Sequence, residues 1–375
     1  MAVSLRFQRI SVSVFFFLAG FTFASWASRI PQIQDKLGLS EAALGGVLFA
    51  LPVGLMVSLL VAGNLVALLG SRTILLLAAG MYALVLILLG AVVQKWQLVL
   101  LLFLFGFVGN LFNISVNTQA VAVEKKYGKP IMASFHGIWS LAGFCGAAFG
   151  TLMLGLGWAP AYHFAASAAL VWLLMLLFSK GTVYAPSKKG QPFFAMPDKG
   201  LLHLGLIVFF CLVCEGTFFD WSGVYFSEVV HSPTALTSLG YAAFMGCMAC
   251  GRFIADKMVS RFGSKKMLVG SGVVIFCGIL LSVLIPVLWV ATLGFMLAGF
   301  GVSSVVPIVY SRAGKHNTMH PGQALAAVSS VGFAGFLAGP PLIGFISEAS
   351  SLQWSFGLVA LFGLTAGLLA KTLPE

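Results

Sequence analysis

Apolar residues run along this chain in blocks, separated by short clusters of Gly, Pro, Ser, Lys and Arg. An apolar block of about 17–25 residues is long enough to cross a bilayer as a helix. The blocks predict spans at roughly 9–29, 41–69, 72–94, 97–123, 130–156 and 158–178, and again at roughly 201–229, 235–260, 266–286, 288–311, 321–346 and 352–371. Stretches such as Leu98–Val108 lack the apolar–polar alternation of a membrane barrel strand. The expected fold is all-α integral membrane, with twelve transmembrane helices.

The second six spans repeat the first. Trp26 recurs as Trp221 and Leu44-Gly45 as Leu239-Gly240, both 195 residues on. Gly70-Ser71-Arg72 recurs as Gly263-Ser264-Lys265, Gly106-Phe107 as Gly299-Phe300 and Gly146 as Gly339, all 193 residues on. Ordered matches with one small drift read as an internal duplication. The organisation expected is two parallel six-helix repeats, 1–178 and 201–375, joined by a polar linker at 179–200 with Gly181, Pro186, Gly190, Pro192 and Pro197. Two similar membrane halves point to a transporter whose site lies between them and opens alternately to each side.

Composition agrees: 60% of the residues are hydrophobic and only 8% charged, with mean hydropathy +1.03. A soluble domain carries about a quarter charged residues. The net charge of +11 would suit a nucleic-acid partner, but its placement argues against one. With the N-terminus inside, only Arg29, Lys36 and Lys95 of the 21 Lys and Arg fall outside. That asymmetry sets topology, with both termini and the linker cytoplasmic. Arg6, Arg9 and the apolar stretch behind them imitate a signal peptide, but cleavage there would remove the partner of the seventh span, so the first helix is expected to be retained. Cys211-x-x-Cys214 and Cys247-x-x-Cys250 have metal-site spacing, yet they lie within apolar spans, where Cys serves as a small packing residue. No metal and no cofactor are expected.

Twelve spans in two parallel halves, with cytoplasmic termini and central loop, resemble the major facilitator superfamily along the whole chain. The superfamily's loop motif after the second helix is matched by Gly63, Gly70 and Arg72, with Ala67 where its Asp belongs. In the second half Asp256 takes the first Gly position and Ser260 the Asp position, followed by Arg261, Gly263, Lys265 and Lys266. The pattern is similar to bacterial permeases near the fucose-permease branch. The resemblance implies an inner-membrane carrier, a gating role for Arg72, Asp256 and Arg261, and no enzymatic activity.

Ionisable residues inside a bilayer are costly, so each is a functional candidate. Glu215 is the expected proton-coupling group, because a carboxyl in a dry site is pushed toward neutral-pH titration. Asp220, five residues on, is rotated about 140° from it and could pair with Arg29 as an outer gate. Asn110, Asn113 and Asn117 share one helix face, which must look into the bundle to line a solute path or to bond other helices. His136 sits at similar depth with Trp139 beside it, and could bind a hydroxylated solute or carry a proton. Trp26 and Trp221 could stack on a sugar or aromatic solute; His163 and His203 are expected at the interface. The stripes Gly143, Ala147, Gly150 and Gly335, Gly339, Pro340 read either as sliding contacts between the halves or as tight packing. The combined expectation is a monomeric, proton-coupled transporter of a small polar or sugar-like solute, by symport. The alternative is a proton-driven exporter of amphipathic or drug-like compounds.

Overall fold

The computed structural model describes residues 4–128, 131–183, 198–313 and 321–374, apart from the side chains of residues 63, 64, 67, 133, 256, 321–323, 325 and 326. The first half is built from α1 (Leu5–Ala27), α2 (Ile30–Leu37), α3 (Glu41–Leu48), α4 (Ala50–Leu69), α5 (Ser71–Gly90), α6 (Lys95–Tyr127), α7 (Met132–Gly155) and α8 (Pro160–Phe178). The second is built from α9 (Lys199–Glu228), α10 (Leu239–Phe262), α11 (Ser264–Leu284), α12 (Leu288–Val302), α13 (Val305–Ala313), α14 (Pro321–Ala349) and α15 (Leu352–Lys371). Twelve helical stretches among the described residues are long and apolar enough to cross a membrane.

Among the described residues seven α-helices stand in the second half against eight in the first, and prolines account for the difference. Proline lacks the N–H that would reach the carbonyl four residues back, and its ring crowds that carbonyl. Pro31 acts on Ala27, the last residue of α1; Pro52 acts on Leu48, the last residue of α3. Pro307 acts on Ser303, immediately after α12. The duplicated positions hold Phe226, Cys247 and Ile114, and there α9, α10 and α6 run unbroken. Pro340 and Pro341 are exceptions, since α14 continues through both.

Packing repeats as the sequence does. In the first half α7 lies on α1, α4 and α5 on α6, and α8 on α5; in the second, α14 lies on α9, α10 and α11 on α12, and α15 on α11. Lipid offers no hydrophobic drive for helix association, so close steric fit must supply it. A Cβ on Gly106 would collide with the Leu51 carbonyl oxygen, and one on Gly299 with that of Phe244, so both halves bring the same helix pair to backbone contact. Gly70 and Gly263 open α5 and α11 with φ of 81° and 83°, a conformation that only glycine adopts readily. Gly146 and Gly150 close on α1, and Gly335 closes on α9. Gly150 of the first stripe and Gly335 of the second therefore pack within a half, whereas Pro340 of the second stripe meets Gly45 of α3, a first-half helix that belongs to the second unit.

Gly106→Val and Gly299→Val are each expected to destabilise by at least the roughly 1–3 kcal/mol typical of overpacking, whereas Gly46, with open space around its Cβ position, should accept Val with little change. Thermal unfolding of the three purified variants checks this. Equal melting temperatures would show that the close approach is dispensable.

The chain divides into two compact units, Met1–Gly38 with Ala50–Gly190, and Leu39–Phe49 with Gln191–Glu375. Aromatic side chains fill each core. In the first unit Tyr82 stacks on Phe105 at 4.2 Å and meets Phe112 edge-on. In the second, Phe218 stacks on Phe244 at 4.3 Å and meets Phe295 edge-on, while Tyr225 lies 4.3 Å from Phe356. The second unit includes α3, which lies against α14: a Cβ on Gly45 would come within 2.7 Å of the Pro340 oxygen.

Candidate functional site

In the first unit, the asparagine row of α6 divides. Asn110 is buried and donates from Nδ2 to Ser58 Oγ of α4 (3.3 Å), an interhelical tie. Asn113 and Asn117 stay on a more open face and pair with each other: Asn117 Nδ2 donates to the Asn113 carbonyl (2.8 Å) and to its Oδ1 (2.9 Å). Glu124, further along α6, accepts the Ile131 and Met132 N–H groups at 2.7 Å each, satisfying donors that the start of α7 leaves unpaired. Gln119 is buried; it donates to Ser71 Oγ (2.7 Å) and to the Val183 carbonyl and accepts from Val183 N–H (2.7 Å). It binds α6 to the start of α5 and to the chain after α8.

His136 is exposed on α7, its ring edge-on to Phe16 at 5.3 Å, and Trp139 is half-buried one turn on. This patch and the Asn113–Asn117 pair give the first unit accessible polar surface within its spans. Trp26 and Trp221 are not accessible: they are 1% and 0% exposed, and neither indole N–H has a hydrogen-bond partner among the described residues. The duplicated pair thus serves the two cores and offers no ring face to a solute.

Arg29 sits in the two-residue break between α1 and α2, 0% exposed. Its Nε donates to His163 Nδ1 (2.9 Å), and its Nη1 donates to Gln32 Oε1. A ring nitrogen that accepts from a guanidinium carries no proton, so His163 is neutral here. Arg29 Nη2 and His163 Nε2 have no partner among the described residues, and no carboxylate there faces the guanidinium. His163, expected at the interface, is instead buried, its ring edge-on to Phe149 at 5.2 Å. Asp220, proposed from sequence as Arg29's gate partner, is half-buried and has no hydrogen-bond or ion-pair partner among the described residues. Arg72 and Arg261 are exposed at the start of α5 and the end of α10; the Arg261 guanidinium lies 5.5 Å from the Phe262 ring centroid. The side chain of Asp256 lies outside the described residues.

In the second unit Glu215 is buried on α9, with Oε1 3.5 Å from Arg252 Nη2 of α10. Tyr310 of α13 accepts a hydrogen bond from Ser329 Oγ (2.9 Å) and lies within electrostatic reach of Glu215. Counting charges by loop puts Arg252 at the cytoplasmic surface. It stands ten residues before the end of α10 at Phe262, the end that the same counting puts at that surface, and so about 15 Å along the helix axis, too deep for it. Depth within the span is the signal that identifies it. Cys211 and Cys214 are buried beside Glu215, while Cys250 is exposed. Among the described residues no group of three or more His, Cys, Asp and Glu is placed to hold a metal ion.

Residues 11–320 match the family model of the Major Facilitator Superfamily. An uncharacterized MFS-type transporter of Yersinia pestis is 34% identical over 98% of this chain and 96% of its own length. Among solved structures, the nucleoside transporter NupG superposes with a TM-score of 0.78 at 14% identity, covering 97% of this chain and 98% of its own. A D-xylose-proton symporter superposes with a TM-score of 0.76 at 15% identity, covering 99% of both chains. At such identities the solved structures establish the fold alone.

Proposed function

The chain belongs to the major facilitator superfamily of non-enzymatic membrane carriers, and on that premise we propose that it takes up a small polar or sugar-like solute by proton symport. The observation that carries this reading is the pairing of the buried Glu215 with the half-buried Arg252. A buried carboxyl facing one guanidinium has two low-energy states: ionised and paired, or protonated and neutral with the guanidinium released. Exchange between them loads and unloads a proton and frees a cationic donor in the same step. Asn113, Asn117, His136 and Trp139 supply the amide, imidazole and aromatic surface that a hydroxylated solute needs.

Transport proceeds by alternating access, with six-helix bundles at 1–178 and 201–375 moving on the 179–200 linker. The carrier works as a monomer in the inner membrane with both termini cytoplasmic, an orientation the Lys and Arg asymmetry supports. Glu215 is the coupling group; Asn113, Asn117, His136 and Trp139 contact solute; Trp26 and Trp221 do not.

The test is proton movement on ligand addition. Purified protein in weak buffer is challenged with D-xylose, uridine and related sugars, with thermal shift reporting binding. A solute that stabilises the wild type is expected to change the pH of the medium, and Glu215→Gln to bind it without that change. An unaltered pH signal in the variant would remove Glu215 from the coupling and leave His136 as the proton carrier.

A further inference from the structure

We propose that the N-terminal end of α1 carries a binding site for an anionic amphiphile, a molecule with a carboxylate or phosphate head and an apolar body. Within the first unit, residues of α1, α6 and α7 line an open pocket of about 540 Å³, inside the roughly 300–1,000 Å³ range of small-molecule pockets. Arg6, Arg9, Ser13 and Phe17 line it from one face of α1, a spacing of three to four residues. From Arg6 to Phe17 the face runs about 16 Å at about 1.5 Å per residue.

Chemistry changes steadily along that distance. At one end are two guanidinium groups and the phenol of Tyr127, with the apolar Ile10 beside Arg9; Ser13 lies between; Val14, Phe17 and Ile138 close the other end. Arg9 Nη1 donates to Tyr127 Oη (3.0 Å), and the guanidinium lies 5.0 Å from the Tyr127 ring centroid. One of Arg9's five donors is thereby used, which orients the group and leaves a planar fork suited to a carboxylate or phosphate. Among the described residues neither Arg6 nor Arg9 has an ion-pair partner. The carboxylate nearest in sequence on α6, Glu124, is already engaged by the N–H groups of α7, and Lys125 and Lys126 add further positive charge at the end of that helix.

A free inorganic anion would satisfy the arginines and leave the apolar wall against water. A neutral lipid tail would do the reverse. The occupant that satisfies both ends carries both chemistries. No residue is shared with the Glu215–Arg252 pair or the Asn113–His136 surface, so the inference does not depend on the solute reading. An anionic membrane lipid and a dissolved acidic amphiphile present the same chemistry to this pocket.

The experiment uses the full chain in phosphatidylcholine nanodiscs, titrated with octyl phosphate, octanol and inorganic phosphate. Octyl phosphate is expected to bind saturably and at least tenfold more tightly than either control. The double variant Arg6→Gln, Arg9→Gln is expected to lose that preference. Should the double variant fail to fold, Val14→Trp fills the apolar end with both arginines intact, and it is expected to exclude octyl phosphate. Equal binding of octanol, or octyl phosphate binding unchanged in Val14→Trp, overturns the proposal. Displacement of octyl phosphate by phosphatidylglycerol in the disc identifies a membrane lipid as the natural source. Undiminished binding in such discs, with octyl phosphate accumulating in proteoliposomes, identifies a dissolved solute.

Discussion

Glu215→Gln is expected to abolish solute accumulation driven by a pH gradient while preserving solute-for-solute exchange in proteoliposomes. One pH unit is worth about 1.4 kcal/mol, so coupling to one proton supports about tenfold accumulation per unit. Gln keeps the size and hydrogen-bonding of a protonated Glu but cannot release a proton. The variant should therefore equilibrate solute without concentrating it. Arg252 loses its ion pair with Glu215 in this variant, but its side chain is 20% exposed, so the lost pairing falls below the roughly 3–5 kcal/mol of a fully buried broken pair. Folding should survive, and a normal exchange rate would verify that. Accumulation at the wild-type level in Glu215→Gln would place the coupling proton elsewhere.

The second large effect concerns Arg29. Its guanidinium is wholly buried, its named partners His163 and Gln32 are neutral, and one of its nitrogens is buried without a partner among the described residues. Desolvating an ion costs several kcal/mol, and replacing buried ionic groups by apolar ones of similar volume is often neutral or stabilising by about 1–4 kcal/mol. Arg29→Met is thus expected to hold or raise the melting temperature while transport is lost. A charge kept at a cost in stability has a functional reason to be there. Thermal unfolding and exchange assays on one preparation decide the matter. A melting temperature lowered by several degrees with transport intact would make the Arg29–His163–Gln32 cluster scaffold, held together by its hydrogen bonds.

Much of the fold was legible in the sequence because membrane spanning and duplication both leave long, redundant signals. Twelve apolar blocks and ordered matches at 193 and 195 residues survive an error of several positions in any one of them. The helix breaks at Pro31, Pro52 and Pro307 were legible in principle, since each falls where the carbonyl four residues back loses its donor. Pro340 and Pro341 show that tertiary packing can override that rule.

The candidate site was less legible, for physical reasons. Repetition marks Trp26 and Trp221 equally well whether they pack or bind, and only burial separates the two roles. Asn110, Asn113 and Asn117 share a face by periodicity, but the presence of Ser58 across from Asn110 depends on which helix lies there. Arg252 is hidden when charges are counted by loop instead of by depth. The Arg29–His163 contact joins residues 134 positions apart, a separation that no local pattern encodes.

The unevenly distributed prolines have a mechanical consequence. Each of the three breaks removes a backbone hydrogen bond from one half and leaves its duplicate rigid. The first half yields at Ser28–Arg29 and Phe49; the second yields at Ser303–Ser304. Two copies of one ancestral bundle have thereby acquired different compliance, soft at different points along their length. Load applied equally to both halves would bend them in different places, so the symmetry of the sequence does not extend to the motion.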